Sequence, residues 1–234
     1  MNPTHDRHRP DLEAEDMAST TRQLERDLRR CLDASSIVLD IGANRGQFAE
    51  EILSIVPVKK IYSFEPVPDA FAAVEALSEK HPQVVPVKKA VSVENGFANF
   101  YVTVSDVGSS LLPPLPGQPS KWLTLDQEVK VETVRLDDFI REQIARDGEQ
   151  IALLKSDAQG SDLDVLRSAG EFLCPASIKS ILVEINFTQF YEGQQTYHEI
   201  FGLLDKAGYR MAWLYPHRAH DEWLWWADVL FIGK

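Results

Sequence analysis

The segment Val38-Leu39-Asp40-Ile41-Gly42-Ala43-Asn44-Arg45-Gly46-Gln47-Phe48 leaves the chain few ways to fold. Its first four residues read as the end of a buried strand, and "FAEEIL" resumes at helical spacing after a turn carrying two glycines. A strand that passes through a tight glycine turn into a helix is the opening half of an α/β unit. The rhythm continues. Ile37–Ile41 is a strand, 46–56 a helix, Lys59–Phe64 a strand, Asp69–Lys80 a helix and Val84–Val91 a third strand. Continuous apolar strands joined by helices predict a parallel sheet covered on both faces, the doubly wound Rossmann-like α/β class.

The middle of the chain departs from this pattern. Glu94-Asn95-Gly96 is a hairpin-turn signal followed by the alternating "GFANFYVTVSD", and "LLPPLPGQPS" (111–120) carries four prolines. "VKVETVRL" alternates again and runs into a helix, Leu136–Ala145. We read this stretch as an inserted β-hairpin with a stiff loop. From Ile151 the strand–helix rhythm returns. "IALLKSD" is a strand, "SDLDVLRSAGEFL" a helix with Ser161 as N-cap, "IKSILVEINF" a strand, and "TYHEIFGLLDKAG" a helix closed by Gly208. "YRMAWLYP" and "WLWWADVLFIGK" form a closing strand pair. Residues 1–34 are expected to be a tail and a helical arm that packs on the domain or dimerises, and 35–234 the domain itself.

Charge narrows the partners. A formal net charge of -12 and a pI near 4.9 repel nucleic-acid backbones and anionic lipid, so neither is expected. No apolar run approaches the roughly 20 residues of a membrane span. The first ten residues lack the apolar core of a secretory signal. Cys31 and Cys174 stand far apart in no metal spacing and are expected as reduced thiols in a cytoplasm.

In such a sheet ligands lie beyond the carboxyl ends of the strands, at the helix N-termini. Gly42 sits there and lets backbone approach a ligand, and Gly46 lets the helix start tightly. Glu65 ends the next strand, one crossover further on, where a ribose diol would lie. A dinucleotide loop has glycine where this chain has Asn44, which would crowd a pyrophosphate but can bond a small zwitterion. Asp40 suits an ammonium group better than a phosphate. Adenine, ribose, carboxylate and ammonium together describe S-adenosylmethionine. A non-catalytic protein that binds this nucleoside and a nicotinamide-dependent oxidoreductase remain as alternatives.

Five stretches, in order, resemble the FkbM family of S-adenosylmethionine-dependent O-methyltransferases: "VLDIGANRGQFA", "IYSFEPVPDAF", Ser109-Ser110-Leu111, "VRLDDFI", and "LLKSDAQGSDLDVLRSAG" followed by "ILVEIN". The resemblance implies a seven-stranded sheet with its last strand antiparallel. It implies that Gly42 and Asn44 line the methionine part of the cofactor and that Glu65 takes the ribose hydroxyls. Pro66 and Val67 would shape the adenine slot, Ala90 and Val91 would pack on the adenine, and Ser109 and Ser110 would close the pocket. Asp157 would stand between cofactor and acceptor. One departure is Asp157-Ala158-Gln159-Gly160-Ser161-Asp162, where the family commonly has glutamates at 159 and 162. The acceptor implied is a hydroxyl of a sugar, glycoside or polyketide-type molecule.

A hydroxyl must lose a proton as it is methylated, and the candidates to take it are Asp157, Glu184 and His217, with His220 nearby. Lys155 lies on the strand face of Asp157 and would pair with it or touch the acceptor. Asp157 and Glu184 with a histidine could hold a divalent metal, although no tight ligand spacing supports one. Trp223 and Trp225 should share one strand face and Trp226 the other, as a core cluster or a platform for a sugar ring.

Overall fold

The computed structural model describes residues 10–117, 121–145, 148–220 and 223–234. The chain runs through α1 (Pro10–Cys31), β1 (Ile37–Ile41), α2 (Gln47–Ile55), β2 (Lys60–Phe64), α3 (Pro68–Lys80), β3 (Val84–Val87), β4 (Ala90–Val91) and β5 (Gly96–Thr103). It continues through β6 (Leu125–Val134), α4 (Leu136–Gln143), β7 (Ile151–Ser156), α5 (Asp162–Ser168), β8 (Ile178–Asn186), α6 (Tyr197–Lys206), β9 (Tyr209–His220) and β10 (Trp223–Gly233). Among the described residues the main sheet has seven strands in the order β3-β2-β1-β7-β8-β10-β9. β10 runs antiparallel to both of its neighbours, and the pairings along β3-β2-β1-β7-β8 are parallel.

Strand alternation sorts the core into two layers. Ile37, Leu39 and Ile41 face a cluster that includes Leu136 and Ile140 of α4, Leu163 and Leu166 of α5, and Ile200 and Leu204 of α6. Val38, Leu153, Leu182 and Leu230 face the opposite cluster, built from α1 (Leu24, Leu28), α2 (Ala49, Ile52) and α3 (Val74, Leu77). The predicted doubly wound sheet with one antiparallel strand is therefore present. The first helix is one continuous element that packs on the sheet. Asp27 on it accepts a hydrogen bond from the Tyr215 hydroxyl of β9 at 2.7 Å.

The inserted region differs from expectation. The predicted strand Val84–Val91 is two strands: β3 stays in the main sheet, and β4 leaves it for a three-stranded sheet ordered β4-β6-β5. The turn at Glu94-Asn95-Gly96 joins β4 to β5, but these two do not pair. β6 lies between them, parallel to β4 and antiparallel to β5. The hairpin is β5–β6, closed by the long proline-bearing connection. Leu112 of that connection packs with Leu123, Phe190 and Tyr191.

Three local expectations fail for identifiable reasons. Ser161 makes no side-chain cap. Asp162 takes over the loop before α5, accepting from the N–H groups of Ala158 at 2.9 Å and Gly160 at 3.3 Å and from Ser156 Oγ at 2.6 Å. His217 and His220 lie within strand β9 rather than in a loop after it, and their side chains lie outside the described residues. The strict alternation of the tryptophans is broken by register shifts at Leu224/Trp226 and Trp226/Ala227, so Trp225 and Trp226 both reach the same aromatic cluster around Phe190. Among the described residues no helix is long and apolar enough to cross a membrane.

Candidate active site

The carboxyl ends of β1, β2, β7 and β8 open on a cavity of about 550 Å³. Gly42, Asn44, Glu65, Pro66, Val67, Ala90, Val91, Ser109, Asp157 and Glu184 all line it. Asp40, Gly46, Ser110 and Lys155, also expected at the site, are not among its lining residues, and the His217 side chain lies outside the described residues.

One end of the cavity is organised by Glu65. This carboxylate is 6% exposed, and both of its oxygens are held by backbone donors. Oε2 accepts from Asn44 N–H at 2.9 Å and Oε1 from Val67 N–H at 2.8 Å. A carboxylate has about four acceptor sites, so both oxygens can still take a ligand hydroxyl. Burial raises the carboxyl to about 7, against the opposing pull of the two N–H donors. Phe64, Pro66, Val67, Ala90, Val91 and Phe100 supply apolar walls beside it, a chemistry that fits an aromatic base next to a diol. Asn44 holds a left-handed φ of 49°, and its Oδ1 is buried without a hydrogen-bond partner. An unsatisfied acceptor in a cavity wall is costly unless a ligand donor meets it.

The glycines serve the scaffold more directly than the ligand. A Cβ on Gly42 would lie 2.0 Å from the carbonyl oxygen of Asp157, because β1 and β7 close on each other there. A Cβ on Gly46 would meet Leu77 Cδ2 of α3 at 2.8 Å, and its φ of 88° sets the entry into α2. Sequence reasoning credited both to ligand approach and helix entry; for Gly42, strand packing is the tighter constraint.

Beneath the glycine turn lies a buried ion pair. Lys155 Nζ is 3.2 Å from Asp40 Oδ1 and 3.6 Å from Asp157 Oδ2, and it donates to the Gly42 carbonyl at 2.9 Å. Burial pulls the ammonium toward losing its proton, but Asp40 and Asp157 outweigh that, and Lys155 holds its proton more tightly than an ordinary lysine. Asp40 is fully buried and also accepts from Ser63 Oγ at 3.4 Å. Lys155 faces a neighbouring cavity of about 350 Å³ bordered by Thr20, Thr21, Gln47 and Phe48, which meets the first at Gly42, Asn44 and Asp157.

At the other end of the main cavity stand Asp157, Glu184, Asn186 and Asp228, with Trp122 and Trp226 alongside. Asp228 is directly across from Glu184 in the β8–β10 register. Burial raises the Glu184 carboxyl well above the ordinary carboxylate range, helped by Asp157, Asp162 and Asp228. The Gln159 carboxamide bridges the pair, donating to Asp157 Oδ1 at 2.7 Å and Glu184 Oε2 at 3.0 Å. Ser109 Oγ accepts from Thr103 N–H at 3.1 Å, while Ser110 is buried behind the wall, its hydroxyl donating to the Gln159 carbonyl at 2.7 Å. Sequence reasoning missed Asp228 and Asn186. An aspartate inside "WLWWADVLFI", and an asparagine two positions after Glu184, were the available signals. Among the described residues no group of three or more His, Cys, Asp and Glu side chains is placed to hold a metal. The amide N–H groups between the two acids also interrupt the oxygen shell that a hard cation requires.

Residues 40–211 match the family described as the Methyltransferase FkbM domain. The chain is 30% identical over 176 residues to the 2-O-methyltransferase NoeI of Sinorhizobium fredii, covering 72% of this chain and 70% of that protein. Methyltransferase 1 of Beauveria bassiana is 24% identical over 163 residues, 59% of this chain and 62% of the fungal protein. The crystal structure of the methyltransferase FkbM from Methylobacillus flagellatus superposes with a TM-score of 0.56 at 12% identity, over 86% of this chain. This chain spans only 44% of that protein's length. A Streptococcus mutans protein solved in complex with SAH superposes with a TM-score of 0.53 at 11% identity, over 92% of this chain and 98% of that one.

Proposed function

This chain belongs to the FkbM family of methyltransferases, and we propose that it methylates a hydroxyl of a sugar or glycoside with S-adenosylmethionine as donor. Membership removes the nicotinamide-dependent oxidoreductase from consideration. The observation that carries the reading is one continuous cavity. At one end Glu65 is pinned by two backbone N–H groups, and at the other Asp157 and Glu184 stand beside tryptophan.

S-adenosylmethionine, when bound, supplies an activated methyl group. Glu65 holds the ribose hydroxyls, and Pro66, Val67, Ala90 and Val91 enclose the adenine. Asn44 Oδ1, Gly42 and the pocket beside Gln47 receive the amino-acid end. The acids of the far end favour a positively charged donor over a neutral one. Asp157 orients the acceptor hydroxyl and takes its proton. Glu184, whose burial favours its protonated form, donates to a neighbouring acceptor oxygen. Lys155 keeps its proton and fixes Asp157 and the Gly42 carbonyl. Trp226 and Trp122 offer apolar faces to a sugar ring, and Asn186 with Asp228 supplies hydrogen bonds to its remaining hydroxyls. Orientation of the two reactants alone can supply about 7–11 kcal/mol of barrier reduction. The free thiols Cys31 and Cys174 suit a cytoplasmic setting.

The test is methyl transfer from labelled donor into a panel of methyl glycosides, with product mass as readout and S-adenosylhomocysteine calorimetry in parallel. Binding together with labelled glycoside supports the reading. Binding with no glycoside labelled favours a protein that holds the nucleoside without catalysis. No binding removes the cofactor assignment.

A further inference from the structure

Gln159 sits where β7, β8 and the segment around Tyr191 meet, and its carboxamide uses both ends. Nε2 donates to Asp157 Oδ1 at 2.7 Å and to Glu184 Oε2 at 3.0 Å, and Oε1 lies 2.9 Å from the Tyr191 hydroxyl. The carboxyl groups decide which end of the amide faces them, because only the N–H end donates. Tyr191 is fully buried, and its one proton is shared between Gln159 Oε1 and the Gly108 carbonyl at 3.0 Å. The Gln159 backbone has a φ of 50°, a conformation uncommon outside glycine, and its carbonyl accepts from Ser110. Strain of this kind persists where the surroundings over-determine a residue.

We infer that Gln159 is a positioning residue: its amide holds Oδ1 of the Asp157 carboxylate against Glu184, while Lys155 lies near the other oxygen. This rests on the reading of Asp157 as the proton acceptor. A carboxylate at 159 would set three acids within contact of one another, which demands an extra proton or a cation. An apolar side chain would release Asp157 to turn toward Lys155, which lies 3.6 Å from its other oxygen. The charged and titratable groups around this centre are Lys155 and Asp40 on the floor, Asp162 from α5, Glu184 from β8, Asp228 from β10 and Tyr191.

The test is carboxyl NMR at about pH 7 of the full chain carrying ¹³C-carboxyl aspartate, without added ligand. The Asp157 resonance is assigned by its loss in Asp157→Asn. Gln159→Met is expected to displace that resonance, because it removes the amide that donates to Oδ1. In the unaltered chain the Gln159 side-chain amide protons should exchange slowly with solvent, and Asp157→Asn should speed that exchange, a pair of measurements that leaves Gln159 itself in place. An Asp157 resonance unmoved by Gln159→Met, or Gln159 amide protons that exchange as a free carboxamide does, overturns the inference. Failure of the underlying reading looks different: Asp157→Asn would methylate at the unaltered rate while the Gln159-dependent displacement stayed intact.

Discussion

The N–H of Asn44 donates to Oε2 of Glu65 at 2.9 Å, tying the turn after the first strand to the residue that ends the second. The bond places a carboxylate at the cavity edge and couples its ionisation to the loop that lines the same cavity. Burial pushes the Glu65 carboxyl to about 7, so this group is partly protonated near neutral pH until a ligand donates to it.

Cofactor affinity should therefore depend on pH with a definite sign. Two ligand hydroxyls donating to Glu65 favour its ionised form, so binding expels a proton below about pH 7. S-adenosylhomocysteine should bind up to about tenfold more weakly for each pH unit below that value. Stability follows the complementary course. A carboxyl raised in the folded state contributes stability that is complete below its ordinary 4.5 and is lost as pH rises through about 7. Melting temperatures with and without ligand should therefore diverge as pH climbs through that window. Calorimetry across the same range, and Glu65→Gln, which removes the titration, check both halves. A pH-independent affinity in the unaltered chain would end the assignment of Glu65 to the diol.

Lys155 and Asp40 are expected to behave as a structural pair. Lys155→Met leaves Asp40 buried without its cation and should cost about 3–5 kcal/mol in urea unfolding. Adding Asp40→Leu to that variant should recover most of the loss. A Lys155→Met protein of unaltered stability that no longer transfers methyl would instead make Lys155 a participant in the reaction.

The sheet and most of its helices were legible because strand and helix periods differ and the glycine turn marks the first crossover. The polar layer of the site follows the same period. Asp40 continues the face of Val38, Lys155 that of Leu153, and Glu184 that of Leu182, so three apolar stripes turn charged at the carboxyl ends of their strands. Asp228 escaped because its strand runs the other way and reaches the layer from its middle. The inserted sheet was less legible. A two-residue β4 gives no periodic signal, and which strand lies between two others is set by long-range pairing rather than by a turn sequence. At 162, where the resemblance led to a glutamate, the hydrogen bonds of Asp162 serve the loop before α5.

The two glycines of the turn should tolerate alanine very differently. Gly42→Ala drives a Cβ to 2.0 Å from a backbone oxygen at φ +74°, and the strand ends must part. Gly46→Ala meets only the tip of Leu77 at 2.8 Å, which can rotate, although φ +88° still strains it. We expect roughly 1–2 kcal/mol for Gly46→Ala and clearly more for Gly42→Ala, which also displaces Asp157. Parallel denaturant titrations rank them, and the reverse order would mean that strand closure at Gly42 is not the constraint.

The two acids of the far end should separate by substitution. Asp157→Asn removes a proton acceptor and should lower the transfer rate by about 10²–10⁴-fold while leaving S-adenosylhomocysteine affinity within a few-fold. Glu184→Gln should be milder, since burial favours the protonated form of that carboxyl and an amide presents a donor in the same place. Single-turnover transfer of labelled methyl at pH 7, with calorimetry to confirm an intact cofactor site, distinguishes them. Equal losses would mean that the pair acts as one unit sharing a proton. A larger loss at Glu184 would reverse the roles, leaving Asp157 to orient the hydroxyl and Glu184 to take its proton.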